Sequence, residues 1–128
     1  MTELVIDSWA WIEYFHGTGQ GAKVHQLIQD ERNRLYTAST SLAEVVSKLI
    51  REGGSGHTAA EAVSTLSKVV QLEEDTAVRA GEIHASIRKV EKDFPLADAV
   101  VAATAEKQGA RIVSGDKHFK HFKNSLLL

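Results

Sequence analysis

The hydrophobic positions of the chain switch repeatedly between a strand-like run and a helical period. Glu3-Leu4-Val5-Ile6-Asp7 is a short apolar run bounded by acids and reads as a buried strand, with Ser8 as the N-cap of the next helix. Trp9, Trp11, Ile12 and Phe15 mark that helix, Gly17 to Gly21 read as a turn, and Val24, Leu27 and Ile28 line a second helix. Arg34–Thr37 is a second strand. Leu42, Val45, Val46, Leu49 and Ile50 then fall on one face of a 3.6-residue period, and Gly53-Gly54-Ser55-Gly56 ends that helix. Thr58 with Glu61 predicts a capping box for a helix that turns Ala59, Ala62, Val63 and Leu66 inward. Val69–Leu72 reads as a third strand, and Thr76 as the cap of a helix carrying Ala80, Ile83, Ile87 and Val90. Pro95 suits the first position of a further helix, which Gly109 closes. Arg111–Ser114 is a last core strand, and Leu126–Leu128 a short edge strand.

Strands alternating with helices predict an α/β fold, a mostly parallel sheet with helices on both faces, in one domain over residues 1–128. The composition agrees: 43% hydrophobic and 25% charged residues can build one core and are too apolar for a disordered tail. Cysteine is absent, which excludes a disulfide framework, a thiolate zinc site and a cysteine nucleophile together. No apolar run approaches the roughly 18 residues of a membrane span. The start, Met1-Thr2-Glu3, lacks a secretory pattern, so a cytoplasmic location is expected. A net charge of −2 argues against a surface built for duplex DNA, while leaving room for a local basic patch.

Four acids carry the candidate chemistry. Asp7 ends one predicted strand and Asp116 lies just past another, the sheet edge where open α/β folds bind ligands. Glu44 lies in the first turn of the helix after the second strand. It also completes a Ser41-Leu42-Ala43-Glu44 capping box, in which its carboxylate would reach back to a backbone N–H. Asp98 is the only charge in Leu96–Ala105, a helix apolar nearly all round and therefore mostly buried. A buried carboxylate must be neutralised, paired or bound to a cation, and the helix dipole offers only about 0.3–1 kcal/mol of relief. Carboxylates about 4 Å apart repel by roughly 4 kcal/mol at an effective dielectric near 20. Protons or a divalent cation must compensate such a cluster, and an all-oxygen set favours Mg²⁺ or Mn²⁺ over zinc. Ions of that kind activate water and stabilise charge on a phosphodiester, which is hydrolytic nuclease chemistry.

Leu4-Val5-Ile6-Asp7-Ser8, Ser41-Leu42-Ala43-Glu44-Val45, Phe94-Pro95 followed by Leu96–Ala105, and Arg111–Phe119 occur in this order across essentially the whole chain. In these pieces the sequence resembles the PIN domain, and within it the VapC-type toxins of prokaryotic toxin–antitoxin pairs. The resemblance implies a Rossmann-like sheet and a Mg²⁺- or Mn²⁺-dependent endoribonuclease acting on RNA. It implies Asp7, Glu44, Asp98 and Asp116 as the metal-binding and catalytic acids, with Ser8 and Ser114 as supporting hydroxyls beside them. It also implies a homodimer and a cognate antitoxin that blocks the acidic groove. One departure is Gly115, where related proteins often carry Asn or Asp, so the fourth corner has a single acid.

Other readings stay open at this point. One is a PIN nuclease of RNA processing with no antitoxin, and another is a catalytically silent PIN-like binding module. A small-substrate phosphohydrolase is disfavoured because Asp7-Ser8-Trp9 lacks a second acid. The tail Lys117–Lys123 offers lysines and aromatics for phosphate contact and base stacking. The competing expectation is that Phe119 and Phe122 anchor the core and the lysines are solvated. His118 and His121, three residues apart, do not make a zinc site alone. Neither glycine cluster has a nucleotide-binding fingerprint.

Overall fold

Leu4, Val5 and Ile6 are all buried, yet Leu4 and Ile6 enter one hydrophobic cluster and Val5 another. Successive side chains of a strand point to opposite faces, so this strand is covered on both sides. Tyr36 against Leu35 and Ile112 against Val113 divide in the same way. The computed structural model describes residues 1–128. Its strands are β1 (Thr2–Ile6), β2 (Asn33–Ala38), β3 (Lys68–Val70), β4 (Arg111–Ser114) and β5 (Ser125–Leu127). All pair in parallel, in the order β3-β2-β1-β4-β5. The helices are α1 (Ser8–His16), α2 (Gly19–Gln29), α3 (Ser39–Arg51), α4 (Gly56–Leu66), α5 (Glu74–Ile87) and α6 (Leu96–Gln108). The expected mostly parallel α/β sheet is therefore present, and every pairing in it is parallel.

One cluster packs the sheet against α5 and α6. Seven consecutive residues of α6, Ala99 to Ala105, are buried, which is why its sequence is apolar all round. The other cluster packs the opposite face against α1, α2, α3 and α4. At its centre Trp11 is fully buried and donates its indole N–H to Thr37 Oγ1 at 3.0 Å. Thr37 and Ser67 hydroxyls meet at 2.7 Å, and Ser67 donates onward to the Val63 carbonyl at 2.8 Å. The donors run in one direction, so each hydroxyl both gives and receives a hydrogen bond.

Several helix starts differ from expectation. Asp7, not Ser8, caps α1, accepting the Ala10 N–H at 2.9 Å. Ser55 caps α4 in place of Thr58, and Glu73 precedes α5, leaving Thr76 buried inside its first turn. Pro95 stands one residue before the first turn of α6. The starts of α1 and α4 each hold more than one side-chain oxygen able to cap, and packing of the apolar face selects among them, whereas α5 and α6 begin without a side-chain cap. The Gly17–Gly21 stretch is also more than a turn, because α2 begins at Gly19. There a Cβ on Gly21 would sit 2.0 Å from the Glu13 carbonyl oxygen, so glycine lets α1 and α2 touch.

Candidate metal centre

The sheet order places β1 and β4 side by side although about a hundred residues separate them, and β1 is where the direction of winding reverses. The Asp7 N–H donates to the Val113 carbonyl at 3.2 Å, tying the ends of the two strands together. Asp7 leaves β1, and Asp116 follows β4 by two residues. Asp98 enters from the first turn of α6, close enough to Asp116 for the two charges to interact. Glu44, from α3 after β2, lies close enough to Asp98 to push that carboxyl upward.

Burial dominates the electrostatics. Asp7 is 4% exposed, and desolvation, with smaller contributions from the charges of Asp98 and Asp116, raises its pKa to about 7. Hydrogen bonds from Ser114 and the Ala10 N–H act in the opposite direction. Asp98 is raised to about 6, first by burial and then by Asp116 and Glu44, while a hydrogen bond from His118 opposes the shift. Partial burial also raises Glu44, and a hydrogen bond from Ser8 pulls it back. No lysine or arginine pairs with any of the four acids; His118 alone does, with Asp98 and Asp116.

The hydroxyls aim these carboxylates. Ser114 is fully buried, and its oxygen accepts the Asp116 N–H at 2.9 Å. Asp116 in turn caps a short 3-10 helix, Lys117–His121, by accepting the His118 N–H at 2.9 Å. The expected capping box for Glu44 does not form. It needs Ser41 at the N-cap, but α3 starts at Ser39 after an Ala38 cap, and the buried Ser41 hydroxyl has no partner. Glu44 is thereby free to take a hydrogen bond from Ser8, and both line a cleft of about 440 Å³ together with Lys48 and Arg51.

The donor set fits a divalent cation. Asp98, Asp116 and His118 offer ligand atoms within 4.8 Å of one another, and Asp7 lies within electrostatic reach of both acids. Buried and half-buried carboxylates paired with no lysine or arginine, only with one imidazole, are what a hard cation would relieve.

A PIN domain family model matches residues 4–124. The chain belongs to the PIN domain family. It is 31% identical over 122 residues to ribonuclease VapC11 of Mycobacterium tuberculosis, covering 91% of this chain and 88% of that protein. A VapC ribonuclease of Mycobacterium bovis is similar to the same extent. Among solved structures, a toxin–antitoxin complex from Klebsiella pneumoniae superposes with a TM-score of 0.76 at 18% identity, over 96% of this chain and 95% of that one. VapC20 of Mycobacterium tuberculosis, described as a sarcin-ricin loop cleaving toxin, gives 0.72 at 22% identity, over 94% and 95%. These two structures share the PIN fold with it.

Within this PIN domain the structure gathers Asp7, Asp98 and Asp116 with Ser114 between them, and sets Glu44 with Ser8 at the rim. Two residues of the cluster were not among the sequence candidates. His118 lies between Asp98 and Asp116, and Glu91 faces both His118 and His121. The one sequence signal for His118 was its place two residues after Asp116. Phe119 is fully buried, Phe122 packs against the same core, and the lysines at 117, 120 and 123 are exposed. The tail is thus anchored by its aromatics, as one of the two expectations held. No helix is long and apolar enough to cross a membrane.

Proposed function

We propose that the chain, acting over residues 1–128 as one nuclease domain, is a metal-dependent endoribonuclease and the toxin of a type II toxin–antitoxin pair. The observation that carries the reading is the convergence of Asp7, Asp98 and Asp116 on the edge between β1 and β4 with no lysine or arginine to neutralise them. Similarity to VapC ribonucleases along nine-tenths of the chain supports the activity, and likeness to toxin–antitoxin structures supports the partner. RNA is the substrate, a cognate antitoxin the protein partner, and a homodimer in the cytoplasm the working form.

Asp7, Glu44, Asp98 and Asp116 would hold Mg²⁺ or Mn²⁺. The bound ion supplies Lewis acidity, making water nucleophilic near neutral pH and offsetting charge on the phosphodiester. Ser114 and the Ala10 N–H keep Asp7 oriented, and Ser8 does the same for Glu44. Ser114 is buried with its hydroxyl engaged by Asp7 and the Asp116 N–H, so it is not a nucleophile. Water attacks, and no covalent enzyme intermediate forms. Lys48 and Arg51, lining the cleft beside Glu44, are positioned to meet the RNA backbone.

The test is cleavage of total RNA in Mn²⁺ by the protein and by Asp98→Asn prepared identically. Cutting that disappears in the variant is expected. Equal cutting by both, or none by either, overturns the catalytic assignment.

A further inference from the structure

His118 comes from an element that needs no histidine for its own folding, since Phe119 supplies the buried anchor and the Asp116 carboxylate the cap. Its ring nevertheless stands between two acids from distant parts of the chain. Nδ1 lies 2.9 Å from Asp98 Oδ2 and 3.2 Å from Asp116 Oδ1. The backbone N–H of the same residue donates to Asp116 Oδ1 at 2.9 Å. One oxygen of each carboxylate is thus engaged by His118, which leaves the other oxygen of each for a cation.

The ring itself is held. The edge-to-face contact with Phe94 has centroids 6.0 Å apart and an interplanar angle of 82°. Nε2 faces Glu91 Oε1 at 3.9 Å, and Glu91 is clamped from its other oxygen by His121. Phe94 is fully buried immediately before α6, so the wall that fixes the imidazole is continuous with the helix that presents Asp98. A donor fixed at its far end by a carboxylate is the arrangement by which outer partners orient metal ligands, and losing such partners costs about 10–100-fold in metal affinity.

We propose that His118 is a positioning residue that sets the orientation and spacing of Asp98 and Asp116 for a divalent cation, through Nδ1, with Glu91 and Phe94 locking its ring. The inference rests on the metal-site reading above and assigns to His118 and Glu91 a role outside the four acids.

Two near-isosteric variants separate the ring's two ends. In His118→Asn the side-chain amide nitrogen falls where Nδ1 was, and in His118→Gln the amide lies nearer the position of Nε2. Mn²⁺ binding is measured by the EPR signal of free Mn²⁺, with circular dichroism to verify folding and RNA cleavage kinetics alongside. The expected result is affinity within about threefold of the unaltered protein for His118→Asn. His118→Gln is expected to lose about 10-fold or more, with kcat reduced and KM nearly unchanged. Glu91→Gln, which leaves the four acids and His118 in place, is expected to show a smaller loss in the same direction. Equal Mn²⁺ affinity in all the proteins overturns the positioning role while leaving the metal site standing. Tighter binding by His118→Gln also overturns it, by showing that the imidazole competes with the cation. Failure of the unaltered protein to bind Mn²⁺ overturns the metal-site reading and the inference with it.

Discussion

The indole of Trp9 lies against Gly115 so closely that a Cβ at position 115 would sit 2.2 Å from its Cη2. Trp9 leaves the first turn of α1, and Gly115 joins β4 to Asp116, so the contact bridges the two strand ends that frame the acids. It accounts for glycine at a position where the family resemblance leads one to expect Asn or Asp. The aromatic ring fills the volume that such a side chain would take.

Gly115→Asn is therefore expected to destabilise the fold by about 1–3 kcal/mol, the usual cost of forcing extra atoms into packed space. Trp9→Ala in the same chain removes the obstacle, so the double variant should lose less than the two single changes added together. Urea unfolding of the four proteins measures the coupling. Strict additivity would show that the ring moves aside at no cost.

Asp7 carries a pH signature of known sign. Its carboxyl titrates near 3.8 when unfolded and at about 7 when folded, so between these values the folded state holds more protons. Its contribution is favourable below the lower value and is lost as pH rises through the upper one. Asp7→Asn, which keeps an acceptor for the Ala10 N–H, should raise stability at pH 8 in EDTA by about 3–4 kcal/mol. At pH 4 it should change stability little, while abolishing RNA cleavage. Denaturant titrations at the two pH values check the sign.

Divalent cations should stabilise the protein most where these carboxyls are ionised. With Asp7 at about 7 and Asp98 at about 6, protons compete with the ion in mildly acidic solution. Thermal unfolding with Mn²⁺ should show a larger rise in Tm at pH 8 than at pH 5. Stabilisation reaches about 2.7 kcal/mol when the ion is at a hundred times its Kd. A Tm shift independent of pH would place the ion elsewhere.

Thr37→Val strands the buried Trp11 indole N–H and should cost about 1–3 kcal/mol. Thr37→Ser preserves the hydroxyl chain to Ser67 and Val63, so it should cost less despite losing a methyl. Chemical denaturation distinguishes the two, and equal losses would mean that the methyl packing matters more than the hydrogen bonds.

Three of the candidate acids were legible because each stands where local pattern makes a charge conspicuous, while Glu44 sits in what reads locally as a capping box. Asp98 interrupts a helix otherwise buried through seven consecutive residues, and Asp7 and Asp116 follow short apolar strands. His118 was not legible in that way. Its partners are Asp98, twenty residues earlier, and Asp116 across a tight turn, so its role depends on where α6 docks. Helix starts were misplaced by a few residues at Ser8, Ser41, Thr58 and Thr76. At each, short-range capping competes with the packing of a whole face.

By itself, then, the order of residues determined which segments become strands and helices and which carboxylates end up at their tips. Those outcomes follow from burial periodicity, a property of a dozen neighbouring residues at a time. Tertiary structure alone decided that β1 and β4 lie adjacent, that Trp9 takes the space above Gly115, and that His118 enters between two acids. Each is a contact between segments far apart in the chain. Strand order and helix docking select such contacts, because both sheet faces must be covered at once before any of these side chains can meet.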